Sequence, residues 1–177
     1  MFSVARTTGE LLAETVRLAR ENAEAGQGPF GALVARDGEV VGIGVNTTIR
    51  DSDPTAHAEV EAIRSARGAD LAGATLVSSC EPCPLCQAAA TLVGISRIVY
   101  AAPKETAAAA GFELRSVAAE VQELLRSAAL VPVQHVATRG AETPFERFAA
   151  VGPAAPNPVF ELRVALTLAP LIRERAG

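Results

Sequence analysis

Apolar residues between positions 11 and 23 recur with a helical period, and Thr8 stands where an N-cap would be. Two apolar runs follow, 30–35 and 40–45, joined by Asp37-Gly38, a dipeptide suited to the left-handed turn of a hairpin. Turn residues Asp51-Ser52-Asp53-Pro54-Thr55 then lead into a helical stretch at 58–67. Beyond it the pattern predicts a buried strand at 74–78, a helix at 84–93, a strand at 97–101, an amphipathic helix at 117–127 and a strand at 131–138. Strands separated by helices after an initial hairpin predict an α/β fold, a mixed central β-sheet with helices on both faces.

The pattern changes near the end. Gly152-Pro153-Ala154-Ala155-Pro156-Asn157-Pro158 reads as a linker. After it Phe160, Leu162, Val164, Leu166 and Leu168 alternate with Glu161, Arg163, Ala165 and Thr167, the period of a strand with one apolar face. The expected organisation is a main domain over 1–151 and a segment over 152–177 that packs on the sheet or on a partner subunit.

Composition narrows the function classes. At 177 residues the chain is long enough for one domain with a substantial core. Apolar residues make up 49% of it, yet no run is long and uncharged enough to span a bilayer. Arg6, Glu10 and Glu14 interrupt any signal-peptide pattern, and three cysteines are too few for a disulfide framework, so a cytoplasmic setting is expected. The net charge of −4, with Lys104 the single lysine, offers no basic footprint for a large nucleic acid.

The candidate chemistry lies in two separated motifs, His57-Ala58-Glu59 and Pro82-Cys83-Pro84-Leu85-Cys86. One imidazole and two thiolates are three ligands for a zinc ion, leaving an open position. Glu59 is then an unassigned carboxylate beside it. Positions i and i+2 of a helix point about 200° apart, so His57 and Glu59 cannot meet one ion from mid-helix. They can meet at a helix start, where side chains lean past the end. Cys83 and Cys86 share a face of a first turn, and prolines at 82 and 84 suit a helix start. Two helix N-termini aimed at one ion lower the thiol pKa values. A water on such a zinc is acidified towards about 7, and Glu59 can take its proton and pass it to a leaving amine. That chemistry is hydrolytic deamination of an aromatic C–NH₂ carbon. A structural zinc site closed by Cys80, and a redox C-x-x-C, are rival readings, but both leave part of His57-x-Glu59 unexplained.

The segments Gly28-Pro29-Phe30-Gly31-Ala32, Asn46, Asp53-Pro54-Thr55-Ala56-His57-Ala58-Glu59 and Ser79-Cys80-Glu81-Pro82-Cys83-Pro84-Leu85-Cys86 resemble the cytidine-deaminase-like superfamily, and within it bacterial guanine deaminases. Ala107 to Glu113 and Thr143-Pro144-Phe145 resemble further guanine-deaminase segments. The resemblance implies the cytidine-deaminase-like fold, a homodimer, Zn²⁺ held by His57, Cys83 and Cys86, and Glu59 as proton shuttle. It also implies that Glu113 is a second relay carboxylate, that Asn46 and the Ala58 backbone N–H bind the base, and that Phe30 lies against its ring. Leu92 and Phe148 stand where relatives carry aromatic residues, and Gly94 where an arginine is frequent. A pocket walled by Leu92 offers less stacking area, which points towards a smaller or altered ring.

The expected function is zinc-dependent deamination of a free nucleobase or related amino-heterocycle, guanine first, with cytosine, isocytosine, a triazine or a pterin as alternatives. A tRNA adenosine deaminase shares the Asp-Pro-Thr-Ala-His-Ala-Glu motif, but the acidic balance argues against tRNA. A non-catalytic zinc-binding module is the reading from another class, and it leaves Glu59 without a task.

Overall fold

In the computed structural model the described residues are 5–112, 116–128 and 131–154. Helix α1 (Thr8–Glu24) begins one residue earlier than Thr8 as a cap would allow. Thr7 is the N-cap, and its side chain and that of Glu10 close a reciprocal capping box. The hairpin forms as expected, β1 (Gly31–Arg36) against β2 (Glu39–Val45), with Asp37 and Gly38 at φ 52° and 80°. A single turn, α2 (Thr48–Asp51), precedes α3 (Ala58–Ser65) and β3 (Thr75–Cys80). Then come α4 (Pro84–Leu92), β4 (Arg97–Ala102), α5 (Lys104–Ala109), α6 (Ser116–Ser127), β5 (Val133–His135) and α7 (Thr143–Val151). Neither α5 nor α7 stands out from hydrophobic period: α5 is six residues, and α7 has no side-chain N-cap. The strand expected at 131–138 shortens to three residues. Glu113 and the alternating stretch 160–168 lie outside the described residues.

The sheet runs β2-β1-β3-β4-β5. β1 is antiparallel to both β2 and β3, whereas β3, β4 and β5 are parallel, so the sheet is mixed as expected. Alternation along the strands feeds two cores. On one face Leu33, Val77 and Val99 pack with Leu12 and Val16 of α1 and Phe145 of α7. On the other, Val34, Leu76 and Ile98 pack with Ala58 and Ala62 of α3 and Ala90 of α4.

The α3 core is built from alanines, so the helix lies close to the sheet. A Cβ on Gly44 would collide with the carbonyl of Ala58 and the amide of Ala62. Only glycine at that point of β2 lets the first turn of α3 sit where it does. The carboxyl ends of the parallel strands and the starts of α3 and α4 thereby face one cavity, the usual place for a site in such a sheet.

Candidate active site

His57 and Cys83 are the N-cap residues of α3 and α4, both with extended backbone at φ −72° and −70°. Neither side chain caps its own helix. Each is therefore free to project beyond the helix start, which is how motifs at separate places in the chain can converge. His57 Nδ1 lies 3.4 Å from Cys83 Sγ and 3.6 Å from Cys86 Sγ, and the two sulfurs are 3.6 Å apart. One ligand atom from each of the three lies within 4.8 Å of the others. Soft thiolates and an imidazole at this spacing fit a tetrahedral zinc ion with one position left over. Cys80 is not part of the group; it is buried and packs near the Pro103 carbonyl. A closed four-ligand structural site is therefore not what the fold builds here.

Glu59 is buried beside this group. Its Oε2 is 3.3 Å from Cys86 Sγ, and its Oε1 accepts a 2.9 Å hydrogen bond from the buried Ser78 hydroxyl. Burial raises the Glu59 pKa, and the charge of Cys83 adds to the rise. The two thiols divide their titration. A hydrogen bond from Cys86, with His57 as a further partner, pulls Cys83 down to about 4. The same contact to Cys83, together with burial, holds Cys86 well above the ordinary thiol range. The hydrogen bond to Cys83 raises His57. A bound metal would reorganise this titration, since it takes both sulfurs as thiolates.

The group opens onto a cavity of about 580 Å³ whose lining includes Phe30, Asn46, His57, Glu59 and Cys83. Asn46 is 6% exposed and does two things at once. Its Oδ1 accepts from the Thr48 amide and hydroxyl at 3.3 and 2.8 Å, an Asx turn, so its carboxamide N–H₂ is the group it can offer to a ligand. Ala58, fully buried, is the first residue of α3, where backbone N–H groups lack partners within the helix. Phe30 stands edge-on to Phe112, ring centres 5.2 Å apart, and to Phe145 at 5.6 Å. Phe30 is thus wall and core together.

Two expected pocket residues are placed otherwise. Leu92 is 86% exposed and does not line the cavity. The buried face of α4 is Cys86, Gln87 and Ala90, and two residues beyond Ala90 a helix has turned to its far side. Phe148 sits behind the wall, its ring 5.2 Å from that of Phe112, because α7 docks on α1. It reaches the cavity only through Phe112. His135 is structural, its Nε2 2.9 Å from the Ala101 carbonyl oxygen.

Several contributors carry no sequence signal. Ser78 is one serine of a strand until the fold turns it to Glu59. Thr48, Ile49, Glu81, Lys104, Glu105 and Gln122 meet at the cavity from four separate stretches. Cys80 also lines it, and burial among Glu59, Glu81 and Glu105 pushes its thiol up to about 12, so it is held neutral.

The sequence profile described as the cytidine and deoxycytidylate deaminase zinc-binding region matches residues 6–102, more than half of the chain. The guanine deaminase of Bacillus subtilis is 45% identical over 107 residues, 58% of this chain and 69% of that protein. The tRNA-specific adenosine deaminase of Agrobacterium fabrum is 39% identical over 99 residues, 52% of this chain and 65% of that protein. A variant protein solved in complex with 8-azaguanine superposes with a TM-score of 0.69 at 25% identity, covering 84% of this chain and 87% of that one. Other curated relatives are much longer: the match spans 20% of one of them.

Proposed function

The chain belongs to the cytidine and deoxycytidylate deaminase zinc-binding family, and from that premise we propose a zinc-dependent hydrolytic deaminase of a free nucleobase, with guanine as the leading substrate. The observation that carries the reading is the buried Glu59 set against the His57, Cys83 and Cys86 donor group at the head of a cavity roomy enough for a heterocycle. The likeness to Bacillus subtilis guanine deaminase supports the choice of ring.

His57, Cys83 and Cys86 would hold the ion. Zinc supplies Lewis-acid activation of water there. Glu59 takes a proton from the attacking water as its oxygen bonds to the amino-bearing ring carbon. It then returns that proton to the departing nitrogen, the C–N bond breaks, and ammonia leaves. Ser78 aims the carboxylate through its 2.9 Å bond, and the apolar surroundings keep the Glu59 pKa high enough to give a proton as well as take one. Asn46 donates its carboxamide N–H to a ring carbonyl or nitrogen, and Phe30 and Phe112 present apolar surface to the ring. Glu113 as a second relay, the Ala58 N–H as a further donor, a homodimer, and a cytoplasmic setting complete the reading.

A second reading, deamination of a tRNA adenosine, has the Agrobacterium fabrum likeness behind it. Against it, the described residues lining the cavity include Glu81 and Glu105 with Lys104 their single Lys or Arg, which is poorly matched to the phosphates flanking a base in RNA. No described helix is long and apolar enough to cross a membrane.

The test is ammonia release by zinc-loaded protein across guanine, guanosine, cytosine, isocytosine, adenine, a triazine, a pterin and an anticodon stem-loop. Turnover of guanine in preference to guanosine is the expected result. Turnover of the stem-loop alone would transfer the assignment to tRNA, and silence on every compound would overturn the reading.

A further inference from the structure

Among the described side chains of helix α6, the buried one is polar. Val121 is 40% exposed and Leu124 67%, while Gln122 between them is 2% exposed. A buried amide is costly unless hydrogen-bonded, and an apolar side chain of the same shape at such a position is often neutral or better. The Gln122 carboxamide meets only part of that requirement. Its Nε2 donates to Glu81 Oε1 at 2.9 Å, and its buried Oε1 has no hydrogen-bond partner among the described residues. The orientation is forced, because the flipped amide would set oxygen against carboxylate. What glutamine supplies that leucine could not is the bond to Glu81.

Glu81 occupies a junction. It is two residues before Cys83, and its amide donates to the Ala102 carbonyl at 2.9 Å, tying the turn to the end of β4. Its Oε2 lies 3.5 Å from the amide nitrogen of Lys104, the first residue of α5. One carboxylate therefore touches α5 and α6 from the turn that carries the metal donors. α5 in turn gives the cavity Lys104, Glu105, Ala107 and Ala108, and Phe112 follows it.

From this we infer that Glu81 and Gln122 form a latch that fixes the α5–α6 wall against the metal-binding turn, and so sets how tightly a ring is held. Both are positioning residues, and neither is given a part in bond making. The effect on substrate rests on the proposed deaminase reading; the latch itself does not.

The experiment uses the zinc-loaded full chain with Gln122→Leu, Glu81→Gln, and the double exchange Glu81→Gln with Gln122→Glu, which restores an amide-to-carboxylate bond of reversed direction. Hydrogen–deuterium exchange over residues 104–112 is read beside zinc content and guanine kinetics. Expected for Gln122→Leu are unchanged zinc, faster exchange over 104–112, and KM raised about tenfold with kcat within about threefold, the signature of lost uniform binding. The double exchange should recover both slow exchange and low KM. The inference is overturned if Gln122→Leu leaves exchange and KM untouched, or if the double exchange is no better than Glu81→Gln alone. The exchange readout needs no substrate, so it is decisive for the latch even where guanine proves not to be turned over.

Discussion

The two walls of the cavity are built by opposite means. On one, His57, Glu59, Cys83 and Cys86 hang from the first turns of α3 and α4, which are seated on fully buried strand residues such as Val34, Leu76 and Ile98. On the other, Lys104, Ala108, Phe112 and Gln122 come from a six-residue helix, a loop and a helix with leucine facing out. The first wall is positioned by the starts of two helices seated on the sheet; the second meets the core through Ala107 and Phe112 and is tied down further by side-chain contacts such as Gln122 to Glu81. This difference separates what the site does from what it does it to: chemistry is fixed by the sheet, and substrate fit is left to elements that can be altered without disturbing it.

The largest predicted effects lie on the first wall. Cys83→Ala or His57→Ala should abolish stoichiometric zinc and with it all activity, measured by metal analysis beside ammonia release. Glu59→Gln should keep zinc and slow turnover by about 10²- to 10⁴-fold, the range for loss of a general acid–base group. Zinc-loaded Glu59→Gln with full activity would remove the proton-transfer role. Ser78→Ala is next. Its hydroxyl bond lowers the Glu59 pKa against the rise from burial, so its loss lets that pKa climb further. Glu59 must be ionised to take a proton, so activity falls as pH drops through its pKa. The acid limb of the kcat/KM profile should therefore move to higher pH in Ser78→Ala, with about a tenfold loss at neutral pH. An unmoved limb would break the link between Ser78 and the base.

Effects on the second wall should be smaller and of another kind. Phe112→Ala removes an edge-to-face partner of Phe30 and should raise KM by about 2- to 10-fold with little change in kcat. The smallest is expected at Leu92→Ala, within about twofold of the wild type in kcat/KM, as for an exposed side chain. A large loss at Leu92 would mean that the cavity has a wall not contributed by the described residues.

The same division decides how much could be read in advance. His57, Glu59, Cys83 and Cys86 were legible because each motif sits at a helix start announced by local signals, turn residues before Ala58 and prolines around Cys83. The mixed sheet followed from alternation and from Asp37-Gly38. The cap lies at Thr7, one residue before the expected Thr8, and Glu10 three residues after Thr7 completes the box. Leu92 was placed by likeness to relatives' positions, and helix phase put it outside. Gln122 and Ser78 were not legible at all, since nothing local distinguishes a serine that meets Glu59, or a buried glutamine on an amphipathic helix, until the chain is folded. Asn46 joins the two cases. It forms the turn that its sequence context suggests, and that turn occupies its Oδ1 while the residue lines the cavity.

The helix that carries Glu59 has one further effect, at its other end. β2 is an outer strand, and Ile43 on it is 53% exposed. There the Ser65 hydroxyl accepts from the Ile43 amide at 2.8 Å and donates to the Ile43 carbonyl at 2.8 Å. An outer strand with free N–H and C=O groups invites a passing chain to pair with it. Here one serine, the last residue of α3, occupies both groups of Ile43, in the interior of that outer strand. The molecule thus guards its own border against unwanted pairing with the same close seating that brings its chemistry together.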